Sequence, residues 1–321
     1  MKDHKSIKEI AIRTITEEVD AVADLTKAIN DDFVKCVDLI FHSKGRVIVT
    51  GIGKSAIVGA KLVASLNSTG TPSIFMHAAD AIHGDLGTIQ LEDIIICISK
   101  SGETPEIRVL IPLLKAFGSS LIAIVGNSHS YLAKQADYIL DTTVKKEACP
   151  NNLAPTSSTT AQMVMGDALT VCLLECRGFT TRDFAKLHPG GALGKQLYLK
   201  VADLYINNQI PKVQIDDDIK TIILEISSKR LGATAVLDHG QLKGIITDGD
   251  LRRMLEKTTD FEKIKARDIM SKSPKTIDPG MLVVNALAIM RKNNITQLLV
   301  TDKDRYLGVL HLHDILKEGI I

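Results

Sequence analysis

The chain has no tryptophan and few aromatics of any kind, 4% of 321 residues. Base-stacking platforms need aromatic faces, so a nucleic-acid surface of that kind is excluded. Charge of one sign is lacking too. Lys and Arg number 39 against 38 Asp and Glu, a formal net charge of +1. No global field draws such a protein to nucleic acid or to an anionic membrane. Long apolar runs are also missing. The longest, such as IIICI at 94–98, are strand-sized and far short of the roughly 20 residues of a spanning helix. The first twenty residues are too charged for a signal peptide. The expectation is a soluble cytoplasmic protein that binds neither nucleic acid nor membrane. There are five cysteines and no CxxC pair. Cys172 and Cys176 are one helical turn apart, ahead of His188, but no second ligand pair supports a metal cluster. Buried, reduced thiols are expected.

What is present is alternation. Residues 1–43 read as helical, with Ile12, Ile15, Val19, Val22, Leu25 and Ile29 on one apolar face. Strand signals follow at 46–50, 73–76, 93–98, 121–125 and 138–141. Helical signals lie between them at 54–67, 104–117 and 130–135, and beyond them at 157–177 and 181–187. Continuous apolar strands separated by helices predict an α/β fold, a doubly wound five-stranded parallel sheet over residues 1–200. From about residue 203 the chain repeats itself. QIDDDIKTIILEISSKRLGATAVLDHGQLKGIITDGDL is matched by TIDPGMLVVNALAIMRKNNITQLLVTDKDRYLGVLHLHDI. Gly244 pairs with Gly308 and Asp250 with Asp314. Two modules, 203–258 and 268–321, are expected.

Residues 46–58, RVIVTGIGKSAIV, read as a strand feeding a phosphate-binding loop. Three readings compete for it. A P-loop fails on spacing, because Ile48 stands where the first glycine belongs. A dinucleotide loop needs an acidic residue about twenty positions on, and Asp80 comes too late. A plain glycine turn packing strand on helix remains. The second loop, SKSGETPE at 99–106, favours a sugar phosphate: Ser99, Ser101, Thr104 and Gly102 precede a helix, a cradle for a monophosphate. Ser55 and the PTSSTT run at 155–160 add hydroxyls.

These motifs resemble the sugar isomerase (SIS) domain, and the repeats, with TDGDLRR at 247–253, look like tandem cystathionine-β-synthase (CBS) modules. GIGKS, STGTP, HGDLG, KEACP, LAPTSSTT, MGDAL and HPGGALG occur in that order. Together with the repeats they resemble the D-arabinose 5-phosphate isomerase family over nearly the whole chain. The resemblance implies D-ribulose 5-phosphate ⇌ D-arabinose 5-phosphate on a homotetramer. It further implies supply of Kdo for lipopolysaccharide, or the role of the sugar-alcohol-linked relative. Rival readings are another SIS-type isomerase and a non-catalytic sugar-phosphate sensor reporting to DNA. The lack of a helix-turn-helix segment and of a basic patch argues against the sensor.

An aldose–ketose isomerase moves a proton between C1 and C2 through an enediol. It needs a base for the C–H, an acid–base partner for the oxygens and a stabiliser of developing negative charge. Loop candidates are Lys54, His83, Glu106, Glu147 and His188. Each has a plainer alternative: a solvated lysine, a carboxylate favouring a helix dipole, an ion pair of Glu147 with its neighbouring lysines, a packed histidine. By resemblance Lys54, Glu106, Glu147 and His188 fall on catalytic positions, and Gly70, Thr71, His77 and His83 on substrate-side ones. The resemblance also makes His77 a point where zinc inhibits, with no cofactor required. Lys100 departs from the family, where a small polar residue is usual. In CBS modules an Asp after the second strand can hold a nucleotide ribose. Asp250 and Asp314 are so placed, for a nucleotide or sugar nucleotide, unless the pair only dimerises.

Overall fold

A computed structural model describes residues 4–257, 260–303 and 305–320. It divides into two compact units, one ending at Leu187 and the other beginning at His188. No described helix is long and apolar enough to cross a membrane.

The first unit opens with α1 (His4–Asp24), a single 3-10 turn and α2 (Asp31–His42). Asn30 starts α2 by accepting hydrogen bonds from the Asp32 and Phe33 amides, with Asp31 and Asp32 favouring the first turn. Then come β1 (Val47–Gly51), α3 (Lys54–Ser68), β2 (Ser73–His77), α4 (Ala78–Ala81), β3 (Ile94–Ser99), α5 (Pro105–Ala116), β4 (Leu121–Val125), α6 (Tyr131–Gln135), β5 (Tyr138–Asp141), α7 (Ser157–Cys176) and α8 (Thr181–Leu187). The five strands pair in parallel in the order β2-β1-β3-β4-β5. Successive side chains of a strand point to opposite faces, and here both faces are covered. Val47, Val49, Ile96 and Ile98 pack with Cys36, Leu62, Met165 and Leu169 of α2, α3 and α7. Ile48, Ile95, Cys97 and Ala123 pack with Ile107, Leu110 and Leu114 of α5.

The apolar stripe read at 12–29 faces outward over most of α1: Ile12, Ile15 and Val19 are 66%, 64% and 59% exposed, whereas Val22 is half-buried and Leu25, just past the helix, joins the core. The helix is held by its polar side instead, through Glu17 to Lys146, Asp24 to Lys145 and Thr160 to Glu18. Of the cysteines, Cys36 and Cys97 are buried, and burial pushes their thiols up to about 12. Cys149 and Cys172 are half-buried and Cys176 is exposed.

The second unit carries α9 (Ala192–Tyr198), α10 (Val201–Tyr205), β6 (Lys212–Gln214), α11 (Ile219–Lys229), β7 (Ala233–Asp238), β8 (Gln241–Thr247), α12 (Asp248–Lys257), α13 (Ala266–Ile269), β9 (Ser271–Lys272), β10 (Thr276–Ile277), α14 (Val283–Asn293), β11 (Gln297–Asp302), β12 (Arg305–His311) and α15 (Leu312–Lys317). Each repeat is a short strand parallel to the first strand of an antiparallel hairpin. Each hairpin shifts register at an equivalent place, Val236/Leu237 and Val300/Thr301. Gly244 faces Val236 as Gly308 faces Val300, so the glycine equivalence read from the sequence is structural. The arms before the repeats are exchanged. Val201 and Leu204 of α10 pack with Ile277, Val283 and Leu310 of the second repeat. In return, α13 packs on the first repeat and β9 extends its sheet.

Candidate functional site

The strand order reverses beside β1, since β2 lies on one side of it and β3 on the other. Ligands of open α/β sheets bind outside the carboxyl ends of strands at such a switch point. The registers Gly51↔His77 and Gly51↔Ile98 put the ends of β1, β2 and β3 side by side. The loops leaving that edge carry most of the sequence candidates. Lys54 is the exposed first residue of α3, and the Ser55 hydroxyl donates to Gln162 Oε1 on α7 at 3.2 Å. Ser99 closes β3, and its hydroxyl accepts from the Gly102 amide at 3.0 Å. Gly102 adopts φ +65°, and a Cβ there would lie 2.1 Å from Ser130 Oγ; the loop needs glycine on both counts. Ser101 is exposed, Thr104 precedes α5, and half-buried Glu106 lies in its first turn. Buried hydroxyls of Thr50, Thr104, Thr142 and Ser157, all at or just beyond this edge, have no hydrogen-bond partner among the described residues.

Glu147 is not a surface carboxylate paired with its sequence neighbours. Its side chain is 0% exposed, while Lys145 and Lys146 reach Asp24 and Glu17 instead. Its Oε1 accepts from Lys100 Nζ at 2.5 Å and Ser158 Oγ at 2.5 Å. Its Oε2 accepts from the Thr156 amide at 2.8 Å, the Thr156 hydroxyl at 3.2 Å and the Ser158 amide at 3.1 Å. Burial alone would raise its pKa, but the bonds from Lys100, Ser158 and Thr156 outweigh it and hold the carboxyl at about 2. The carboxylate stands at the start of α7, where unpaired amides and the helix dipole favour a negative charge.

His77 and His83 belong to the same edge, at the end of β2 and in the segment that leaves it. His77 ends β2 with Nδ1 3.7 Å from Asp80 Oδ2, and His83 is exposed beyond α4. Among the described residues no group of three or more His, Cys, Asp or Glu could hold a metal ion. Gly70 and Thr71 lead into β2, which puts them at the amino edge of the sheet, away from the carboxyl-edge loops. There the Thr71 amide donates to Leu66 O and closes the end of α3. His188 begins the second unit. A Cβ on Gly194 would meet its carbonyl oxygen at 2.1 Å, which is why HPGGALG needs glycine as α9 folds back on it. Asp250 accepts from the Thr247 amide and hydroxyl, from Arg253 and from Ser271. Asp314 accepts from the His311 amide and Asn208. Each Asp thus caps the helix that follows its hairpin. Sequence reasoning missed the Lys100–Glu147 pair and Gln162; contacts across 47 and 107 residues leave no local pattern.

Residues 39–172 match the SIS domain family, and residues 201–257 and 266–320 match the CBS domain family. The chain is 49% identical over 314 residues to an arabinose 5-phosphate isomerase of Pseudomonas aeruginosa, covering 97% of this chain and 96% of that protein. It is 46% identical to the arabinose 5-phosphate isomerase of Escherichia coli K12, over 95% of this chain and 93% of that one. A solved E. coli CFT073 protein in complex with arabinose 5-phosphate superposes with TM-score 0.57 at 37% identity, over 59% of this chain and 100% of its own. The architecture is that of a SIS domain followed by a CBS pair. The chain belongs to the arabinose 5-phosphate isomerase family.

Proposed function

We propose that the protein interconverts D-ribulose 5-phosphate and D-arabinose 5-phosphate through an enediol, in the cytoplasm, on the route to Kdo and lipopolysaccharide. The observation that carries this is the near-full-length likeness to arabinose 5-phosphate isomerases. The arabinose 5-phosphate bound by the solved E. coli protein supports a sugar-phosphate ligand, as do the hydroxyls and helix start around Ser99–Pro105. Anions favour the amides and dipole at the start of α5. A base takes the C1 proton of the ketose; the C–H electrons form the C1=C2 bond as the π pair of the C2 carbonyl moves onto its oxygen, which takes up a proton to give the enediol. The C1 hydroxyl then loses its proton to become the aldehyde as C2 is protonated. Glu106 or His188 is the base in this reading, and Lys54 steadies charge on the enediolate oxygen.

No cofactor is required in this reading, and zinc inhibits through His77, with Asp80 beside it. Protein treated exhaustively with EDTA should still give product in a ketose colour assay, and added Zn²⁺ should slow it. Activity lost to EDTA and restored by Mg²⁺ or Zn²⁺ would overturn the cofactor-free mechanism. No turnover of either pentose phosphate would overturn the isomerase itself. A homotetramer is supported by the exposed apolar stripe of α1, and light scattering reads it directly. The CBS pair is assigned a nucleotide or sugar-nucleotide ligand at Asp250 and Asp314. A raised melting temperature with such ligands supports this, and no change with any of them counts against it.

A further inference from the structure

Glu147 has no unused bonding direction. Two carboxylate oxygens offer about four lone-pair sites, and five donors from Lys100, Thr156 and Ser158 already lie within 3.2 Å. A general base must come within hydrogen-bond reach of the proton that it takes, and this carboxylate is sealed from solvent. A group held ionised at about pH 2 is in addition a feeble base at neutral pH.

The segments it joins indicate a different task. Lys100 follows Ser99 in the serine loop, and Gly126 donates to the Lys100 carbonyl from the end of β4. Thr156 and Ser158 form the start of α7. One turn along that helix, Gln162 accepts from Ser55 beside Lys54. Glu147 therefore ties the serine loop to α7, and α7 ties itself to the glycine loop. Lys100 is 45% exposed while its partner is buried, so its ammonium closes the carboxylate on the solvent side.

We propose that Glu147 is a positioning residue, with Lys100 as its counter-ion, and that the pair fixes the serine loop for the sugar phosphate rather than moving the C–H proton. This rests on the isomerase reading. Turnover of ribulose 5-phosphate by the unaltered protein checks that reading separately, before any variant is compared.

The test is a double-mutant cycle on the full chain with Lys100→Met, Glu147→Gln and both together. KM, kcat and inhibition by inorganic phosphate are read for each. Each single variant should raise KM and weaken phosphate inhibition about tenfold, near the worth of one charge-assisted contact, with kcat within about threefold. The double variant should be no worse than either single, because the two residues act as one unit. A merely destabilising change would lower kcat through the active fraction and leave KM alone. A fall in kcat of more than about a hundredfold in Glu147→Gln at unchanged KM is the signature of a lost base, and it would overturn the proposal. So would wild-type constants in Lys100→Met. That variant leaves Glu147 four other donors, so it carries the test even if Glu147→Gln does not fold.

Discussion

Single residues separate into those a motif reveals and those only a fold reveals. Lys54 belongs to the first kind: a glycine loop after an apolar strand announces it, and the structure sets it at the head of α3 on the carboxyl edge. Its role yields a sharp expectation. As the cation beside the enediolate, Lys54 acts in the transition state more than on bound substrate, so Lys54→Ala should cost about two to three orders of magnitude in kcat with little change in KM. Lys54→Arg keeps the charge but spreads it over a planar fork, and should rescue little. Steady-state kinetics of the two variants decide. A pure KM effect in Lys54→Ala, or near-normal kcat in Lys54→Arg, would reassign the lysine to the phosphate. Glu147 belongs to the second kind. Local reasoning offers its adjacent lysines as partners, whereas α1 claims both of them and the counter-ion comes from a loop 47 positions away.

At the scale of elements, hydrophobic pattern placed every strand of the first sheet, because β1, β3 and β4 are buried on both faces and so are written as unbroken apolar runs. For α1 the same pattern told less, since a stripe at helical spacing says that a face is apolar without saying what covers it. Polar clamps between strands leave even less trace. At the amino edge Asp93 is 1% exposed in its side chain and accepts from the backbone and side chain of Arg46 and from the Gln90 amide, fixing β3 against β1. Burial would raise its pKa, but these bonds outweigh it and leave it lowered. The stability it supplies is therefore complete above the unfolded carboxylate value of 3.8 and is lost as pH falls through the lower folded value. Asp93→Asn should cost about 2 kcal/mol at pH 7, below the ~3–5 of a fully buried pair because Arg46 is partly exposed. Urea melts of both proteins should show that gap narrowing as the pH drops below about 4. A gap that stays constant with pH would remove the ionised pair as its cause.

For the whole molecule, the repeat announced two modules, but sequence order alone put each arm with the repeat that follows it. Exchange of α10 and α13 is a long-range choice, made because each arm finds its apolar partner on the other repeat. The division of labour between the two units can be tested by where the chain is cut. A solved E. coli chain is matched over all of its length by 59% of this chain, so a chain of about that size holds the fold it shares with this one. Fragments ending at residue 187 and at residue 200 should therefore both fold cooperatively, as circular dichroism would show. In the longer one α9 loses its partner α14 and should fray, but it retains His188. If His188 shuttles a proton in the isomerisation, the longer fragment keeps turnover and the shorter one loses about two to four orders of magnitude, the usual worth of a general acid–base group. Equal turnover in both would remove His188 from the chemistry. Two folded fragments without activity would mean that isomerisation needs the CBS pair.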